Sequence, residues 1–232
     1  MTRPSTPILD RLLDAAIPHV PFSGWTEETF QSAARECGIP MAEARAACPG
    51  GPAALAARFH EAADARMVAR LEAAALSDMR VRDRIAFAID TRLKVAGDKE
   101  VVRRGVTLFS LPHMAPRGAA LLWQTADAMW RGIGDNSDDV NWYTKRMTLS
   151  AVWSSVLLFW LGDTSDDHAA TRAFIERRIE DVMRIEKAKS EFRTNPVTRP
   201  LADMSAALLR HIRPPAATPA DDLPGRWSLP RG

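Results

Sequence analysis

The chain has 232 residues, 46% of them hydrophobic and 7% aromatic, which suits a globular protein with one sizeable helical core or two small ones. Its formal charge of +2 is too small to argue for nucleic acid as a partner. The two cysteines, Cys37 and Cys48, form no CxxC; neither zinc nor a disulfide framework is indicated, and free thiols in a reducing compartment are expected.

The opening MTRPSTPILDRLL has no apolar run of signal-peptide type and is short for an Arg/Ser-rich transit peptide, so a cytoplasmic protein is expected. Nearly every segment then shows helical periodicity. Ile8–Val20 predicts a short helix with Leu9, Leu12, Leu13 and Ala16 on one face, broken by Pro21-Phe22-Ser23-Gly24. Thr26 is the N-cap candidate of a helix over Thr26–Cys37. Gly38-Ile39-Pro40 reads as a tight turn, Met41–Cys48 as another short helix ended by Pro49-Gly50-Gly51. Pro52, at a position where its missing N–H costs little, opens a helix to about Ser77. Val81–Ala96 and Glu100–Ser110 follow, then a break at Leu111-Pro112-His113 and long helices over Ala115–Ile133, Asp138–Leu161 and Ser165–Glu191. Thr194–Pro200 reads as a linker, Leu201–Ile212 as a last short helix, and Pro214–Gly232, with five prolines, has the composition of disorder. The longest apolar run, Met147–Leu161, contains Thr148, Ser150, Ser154 and Ser155 and falls short of the about twenty residues a spanning helix needs. It reads as a buried core helix.

The first four helices make a helix–turn–helix pattern, with Trp25, Phe30, Ala33, Ala34 and Ile39 as its core and Met41–Cys48 in the recognition position. This resembles the N-terminal domain of TetR-type regulators followed by a helical ligand-binding domain. Operator binding would need cations and base-reading side chains on that helix. MAEARAAC offers Glu43 and Arg45, which cancel, and TEETFQSAAREC carries three Glu against one Arg. Carboxylates repel phosphates, so a scaffold with no nucleic-acid partner is expected, and a regulator sensing a hydrophobic ligand is the alternative.

Catalytic sets are missing from the sequence. None of the five His stands three residues after a Glu, as a di-iron bundle requires. Asp135-x-Ser137-x-Asp139 lacks the sixth-position Gly of a calcium loop and has Arg146 where a bidentate Glu is needed; Asp138 or Asp139 reads better as a helix N-cap. There is no GxSxG, GxGxxG or Walker loop. A non-enzymatic protein without metal or cofactor is expected.

The richest segment is DAMWRGIGDNSDDVNWYTKR, Asp127–Arg146, which sets Trp130, Trp142, Tyr143 and Arg146 around an acidic loop. In the helix that follows, Trp142, Arg146, Leu149, Trp153, Val156 and Trp160 step at the spacing of a single helical stripe. Trp153, Val156 and Trp160 are either core or the wall of an apolar ligand cavity. Trp142, Tyr143 and Arg146, in the first turns, are expected near the surface, and they are interface-anchoring residue types. The last helix is amphipathic, with Leu201, Met204, Leu208 and Ile212 on one face, Leu209 beside them, and Arg199, Arg210, His211 and Arg213 flanking. It either packs on its own domain or a dimer mate, or lies on a bilayer with its cations against anionic lipid.

At Gly24-Trp25-Thr26, Leu111-Pro112-His113, Met129-Trp130, Gly134-Asp135 with Ser137 and Asp139, and Asn141-Trp142-Tyr143-Thr144 with Arg146, the chain resembles the accessory lipid-binding proteins of coenzyme Q biosynthesis. These form a TetR-like family of mitochondria and alphaproteobacteria, and the similarity spans roughly residues 8–190. The resemblance implies an all-α, TetR-like fold: a degenerate helix–turn–helix region (1–63), a helical lipid-binding domain (64–193), a linker and amphipathic membrane helix (194–213) and a Pro-rich tail (214–232). It implies a pocket for isoprenoid or quinone lipid, and a partner, the di-iron hydroxylase acting on demethoxyubiquinone. The contact would use Met129, Trp130, Asp139, Trp142, Tyr143 and Arg146, bordered by Leu111, Pro112 and His113. A homodimer through Ser165–Glu191 and a peripheral place on the inner membrane are further expectations.

Overall fold

The computed structural model describes residues 7–135 and 140–194 of the chain. The expected last helix Leu201–Ile212 with Arg213, the Pro-rich tail, Asp138 and Asp139 lie outside the described residues. Among those described, all regular structure is helical.

Helix α1 (Ile8–Ala16) buries Leu12, Leu13 and Ala16. It stops short of Val20, and a turn leads into α2 (Val20–Ser23), which holds Pro21 in its first turn. The break expected at Pro21-Phe22-Ser23-Gly24 therefore comes earlier, after Ala16; Pro21 sits where a missing N–H is harmless, and Gly24, at φ 71°, ends α2. Thr26 caps α3 (Glu27–Glu36), its hydroxyl accepting from the Thr29 N–H, as its residue type predicts. Helix α4 (Met41–Ala47) follows the turn at Gly38, φ 63°. Helix α5 (Gly51–Glu72) ends before Ser77, because Arg84 donates to the carbonyls of Ser77 and Met79 and holds that stretch as a turn. Then come α6 (Val81–Lys94), α7 (Lys99–Phe109), α8 (Ala115–Gly132) and α9 (Val140–Gly162). A 3-10 turn at Asp166–His168 precedes α10 (Ala169–Thr194), so the expected helix from Ser165 starts a turn late.

Two apolar cores result. The first packs α1 to α4 against the start of α5 and includes Trp25, Phe30, Ala33, Ala34 and Ile39, the residues the helix–turn–helix pattern singles out. The second packs the rest of α5 with α6, α8, α9 and α10. Helix α5 serves both, through Leu55 and Ala56 at one end and Ala63, Met67 and Leu71 at the other, and the expected division after residue 63 falls inside it. Helix α7 bridges them: Trp25 Nε1 donates to the Val101 carbonyl at 3.3 Å. Cations of α7 close the end of α9, Lys99 donating to the Asp163 carbonyl and Arg103 to that of Leu161, each at 2.7 Å. Helix C-termini favour such charges. The Asp163 carboxylate accepts from the amides and hydroxyls of Ser165 and Thr171. Those bonds, Ser165's first, hold its pKa well below the usual carboxylate range. Among the described residues no helix is long and apolar enough to cross a membrane.

Candidate functional site: a cavity and an aromatic patch

The stripe on α9 faces inward along its length. Arg146, Leu149, Trp153, Val156 and Trp160 are all buried, and Trp142 is half-buried. What surrounds each member differs. Trp160 is covered by Lys99, whose Nζ lies 5.0 Å from the ring centre, and by His168. Val156 belongs to the second core. Trp153 alone of the three expected lipid-contacting residues lines a cavity, of about 320 Å³. Val156 and Trp160 do not line this cavity; both belong to the second core, as Trp153 also does.

The cavity lies between α5, α6, α7, α8 and α9. Phe59, Val102, Val106, Leu121, Leu122 and Leu157 supply much of its apolar wall. Its volume is at the small end of the range for ligand pockets. Gly118 lets α8 approach the end of α7 at this wall; a Cβ there would lie 2.9 Å from the Phe109 carbonyl oxygen. Ser110, Ala115, Ala119 and Leu158 line the cavity and are exposed, which makes them its rim, whereas Trp153, Arg92 and Leu121 are buried and form its floor. Leu111, Pro112 and His113, expected to border the partner patch, are exposed in the short connection between α7 and α8 and do not themselves line the cavity.

The floor carries polar chemistry. Arg92 Nε donates to Asp64 Oδ1 at 2.5 Å and its Nη2 to the His60 carbonyl at 3.2 Å, while its guanidinium lies 5.4 Å from the centre of the Trp153 ring. The Thr125 hydroxyl donates to Asp64 Oδ2 at 2.9 Å, which leaves its oxygen to accept from His60 Nε2, 2.7 Å away. This network assigns the proton of neutral His60 to Nε2. Burial, and secondarily the nearby Arg92 charge, push the His60 pKa down to about 4, so the ring is neutral at physiological pH. Burial also lowers the Arg92 pKa, against the pull of Asp64. One donor is left over: Trp153 Nε1 is buried without a hydrogen-bond partner among the described residues, a condition that costs about 1–3 kcal/mol.

The aromatic patch gathers where α8 and α9 meet. Trp142 and Tyr143 contact edge to face at 4.7 Å, and Trp123 of α8 completes a trio at 5.9 and 6.3 Å. All three are half-buried. Arg146 is not at the surface as expected; it is 1% exposed, under the Trp142 ring at 4.0 Å. Its Nε donates to Asp127 at 2.6 Å and its Nη1 to Asp135 and to the Trp142 carbonyl. Met129 and Trp130 are buried too, and Trp130 Nε1 donates to the Lys145 carbonyl. The structure thus brings Met129, Trp130, Trp142, Tyr143 and Arg146 to one end of the α8–α9 pair, but three of them support the surface from below. Asp139 lies outside the described residues. Trp123 was missed because its place beside Trp142 depends on how two helices pack, which the spacing within either does not encode.

The COQ9 family profile matches residues 115–186, the segment from the start of α8 into α10. The human mitochondrial ubiquinone biosynthesis protein COQ9 is 32% identical over 75% of this chain. Its fruit-fly counterpart is 30% identical over 78%, and the probable Dictyostelium discoideum one 27% over 78%. The chain spans 57%, 57% and 61% of the lengths of these relatives. The crystal structure of a TetR transcriptional regulator from Nitrosomonas europaea superposes on 75% of this chain and 97% of its own, with a TM-score of 0.61 at 19% identity, which establishes the TetR-like fold. Similarity across three-quarters of the chain and the match over α8 to α10 together place this protein in the COQ9 family.

Proposed function

We propose that this chain is a non-enzymatic lipid-binding factor of ubiquinone biosynthesis, which takes an isoprenoid quinone precursor at a membrane and hands it to a partner hydroxylase. The observation that carries the reading is the cavity: an apolar enclosure of about 320 Å³ with a rim of exposed residues, in a chain related to proteins named for ubiquinone biosynthesis. A polyisoprenoid ring brought from the bilayer towards a water-exposed enzyme uncovers apolar area at about 25 cal/mol per Å². A cavity that takes in part of the molecule lowers that cost with no chemistry of its own. The Trp123–Trp142–Tyr143 trio is the natural dock for a di-iron hydroxylase, because half-buried Trp and Tyr anchor interfaces without large ordering costs. Leu201, Met204, Leu208, Leu209, Ile212, Arg210 and Arg213, outside the described residues, are assigned to the membrane surface. The protein is then peripheral on the cytoplasmic side of the inner membrane and works as a homodimer.

The TetR-like fold also supports a ligand-sensing regulator. Against it, Arg45, the cation of α4, is held by Glu27 and lies over the Phe30 ring, so a duplex would have to break an existing pair. The full chain, purified without strong detergent, should carry an extractable isoprenoid lipid by mass spectrometry and float with anionic vesicles. Lipid-free protein that stays with the soluble fraction, or that binds duplex DNA tightly at physiological salt, overturns the proposal.

A further inference from the structure

We infer that the cavity mouth is itself a bilayer-contact surface, separate from the segment 201–213, so that the cavity opens into the headgroup layer of an anionic membrane. The inference rests on the lipid-binding reading above. It starts from where large exposed aliphatic residues fall. Leu158 lines the cavity and is 57% exposed. Leu111 is 43% exposed, in the connection whose two ends, Ser110 and Ala115, line the cavity. A lone exposed Leu is ordinary, whereas two of them beside the opening of an apolar cavity mark a surface that is covered in use.

Charge selects what covers it. From Val101 to Ala126 and from Val140 to Gly162 the chain has no Asp or Glu, although it has 29 in all. Those stretches hold most of α7, the connection after it, the larger part of α8 and the whole of α9, the elements that supply the rim. Their charged side chains are Arg103, Arg104, Arg117, Lys145 and Arg146, all cations. An anionic headgroup layer therefore meets no carboxylate on the helices that frame the mouth, and aliphatic side chains between cations suit the interfacial region of a bilayer.

A protein fits this rim less well. Its exposed members are Leu, Ser and Ala, types depleted among the residues that anchor protein interfaces, whereas Trp and Tyr are enriched there. The Trp and Tyr stand elsewhere: Trp142 precedes Leu158 by about 24 Å of helix axis, at about 1.5 Å per residue. With the mouth on the membrane, the aromatic trio stays free for a partner, and a lipid passes between bilayer and cavity without crossing water.

The test is flotation of the full-length chain with vesicles of phosphatidylcholine and anionic phosphatidylglycerol. Leu111→Asp/Leu158→Asp alters exposed positions and should keep its helicity, yet partition at least about tenfold more weakly than the wild type. Val81 is the control. It is also 57% exposed, and it opens α6 at the far end of α8 from the mouth, where Arg84 donates to the Ile133 carbonyl. Val81→Asp should stay within about twofold of the wild type. A double variant that floats as well as the wild type, or one that loses no more than Val81→Asp, overturns the inference and leaves the lipid-binding reading standing. So does a double variant whose only loss is affinity for the hydroxylase in vesicle-free solution, which would give the rim to a protein. If the double variant loses its helicity, Leu111→Ser/Leu158→Ser decides by the same comparison. A wild type that fails to float overturns both readings.

Discussion

Two buried arginines each lie against a tryptophan of α9. Arg146 has two carboxylates, Asp127 and Asp135, with Trp142 at 4.0 Å. Arg92 has one, Asp64, with Trp153 at 5.4 Å. Around Arg146 the packing is closed, and the tryptophan above it is half-exposed beside Tyr143 and Trp123. Arg92 lies beside a cavity, and the tryptophan next to it is wholly buried, its Nε1 without a hydrogen-bond partner among the described residues. The same ion-pair device thus does two jobs: it props up an outward surface in one place and lays a polar floor under an inward one in the other.

The largest effects come from breaking either prop. Removing one partner of a buried ion pair strands the other, at about 3–5 kcal/mol. Arg146→Ala and Asp64→Ala should each lose about that much in urea unfolding, and Arg146→Ala should also abolish partner binding in whatever protein remains folded. A loss under about 1 kcal/mol in either would mean that the pair is not buried as described.

Next in size is a pH effect confined to the cavity floor. The folded-state pKa of His60 is depressed from 6.5 to about 4, so the unfolded chain binds more protons between those values. Its stabilising contribution is full above pH 6.5 and is lost as pH falls towards 4, in total about 3 kcal/mol. Wild-type stability should fall over this window more steeply than that of His60→Gln, as read by unfolding at several pH values. Parallel curves would remove His60 from the account.

Smaller again is Gly118→Ala. Its Cβ would press on the Phe109 carbonyl, with 2.9 Å between them, and should cost about 1–3 kcal/mol while reducing cavity occupancy by Nile red. Unchanged stability and unchanged dye binding would show that α7 yields freely. The smallest stability change is expected for Trp142→Lys, under about 1 kcal/mol because Trp142 is half-buried, with at least about tenfold weaker binding to the hydroxylase. Unaltered affinity would reject the patch.

The sequence reveals more of the fold than of either site. Thr26 as a cap, the helix–turn–helix core and the inward stripe of α9 are local patterns, and local patterns are legible. The burial of Arg146 was also implied by its position between Trp142 and Leu149 on that stripe; its nearness to an acidic loop suggested the surface instead, and that loop's Asp135 is what allows the burial. The cavity floor is a different matter. His60 meets Thr125 across 65 positions, and Asp64 meets Arg92 across 28. Nothing within α5, α6 or α8 announces those meetings, because they follow from how the helices cross. Val156 and Trp160 share the face of Trp153 but not its surroundings, so periodicity could place all three inside without telling core from cavity wall.

The most direct trial of the whole account is a reconstitution. The demethoxyubiquinone hydroxylase is assayed on substrate held in anionic vesicles, with and without the full-length chain, and the chain is assayed alone. The account predicts a faster hydroxylase in the chain's presence, no turnover by the chain alone, and loss of the stimulation with Trp142→Lys. A hydroxylase indifferent to the chain, or a chain that converts the quinone unaided, would contradict it.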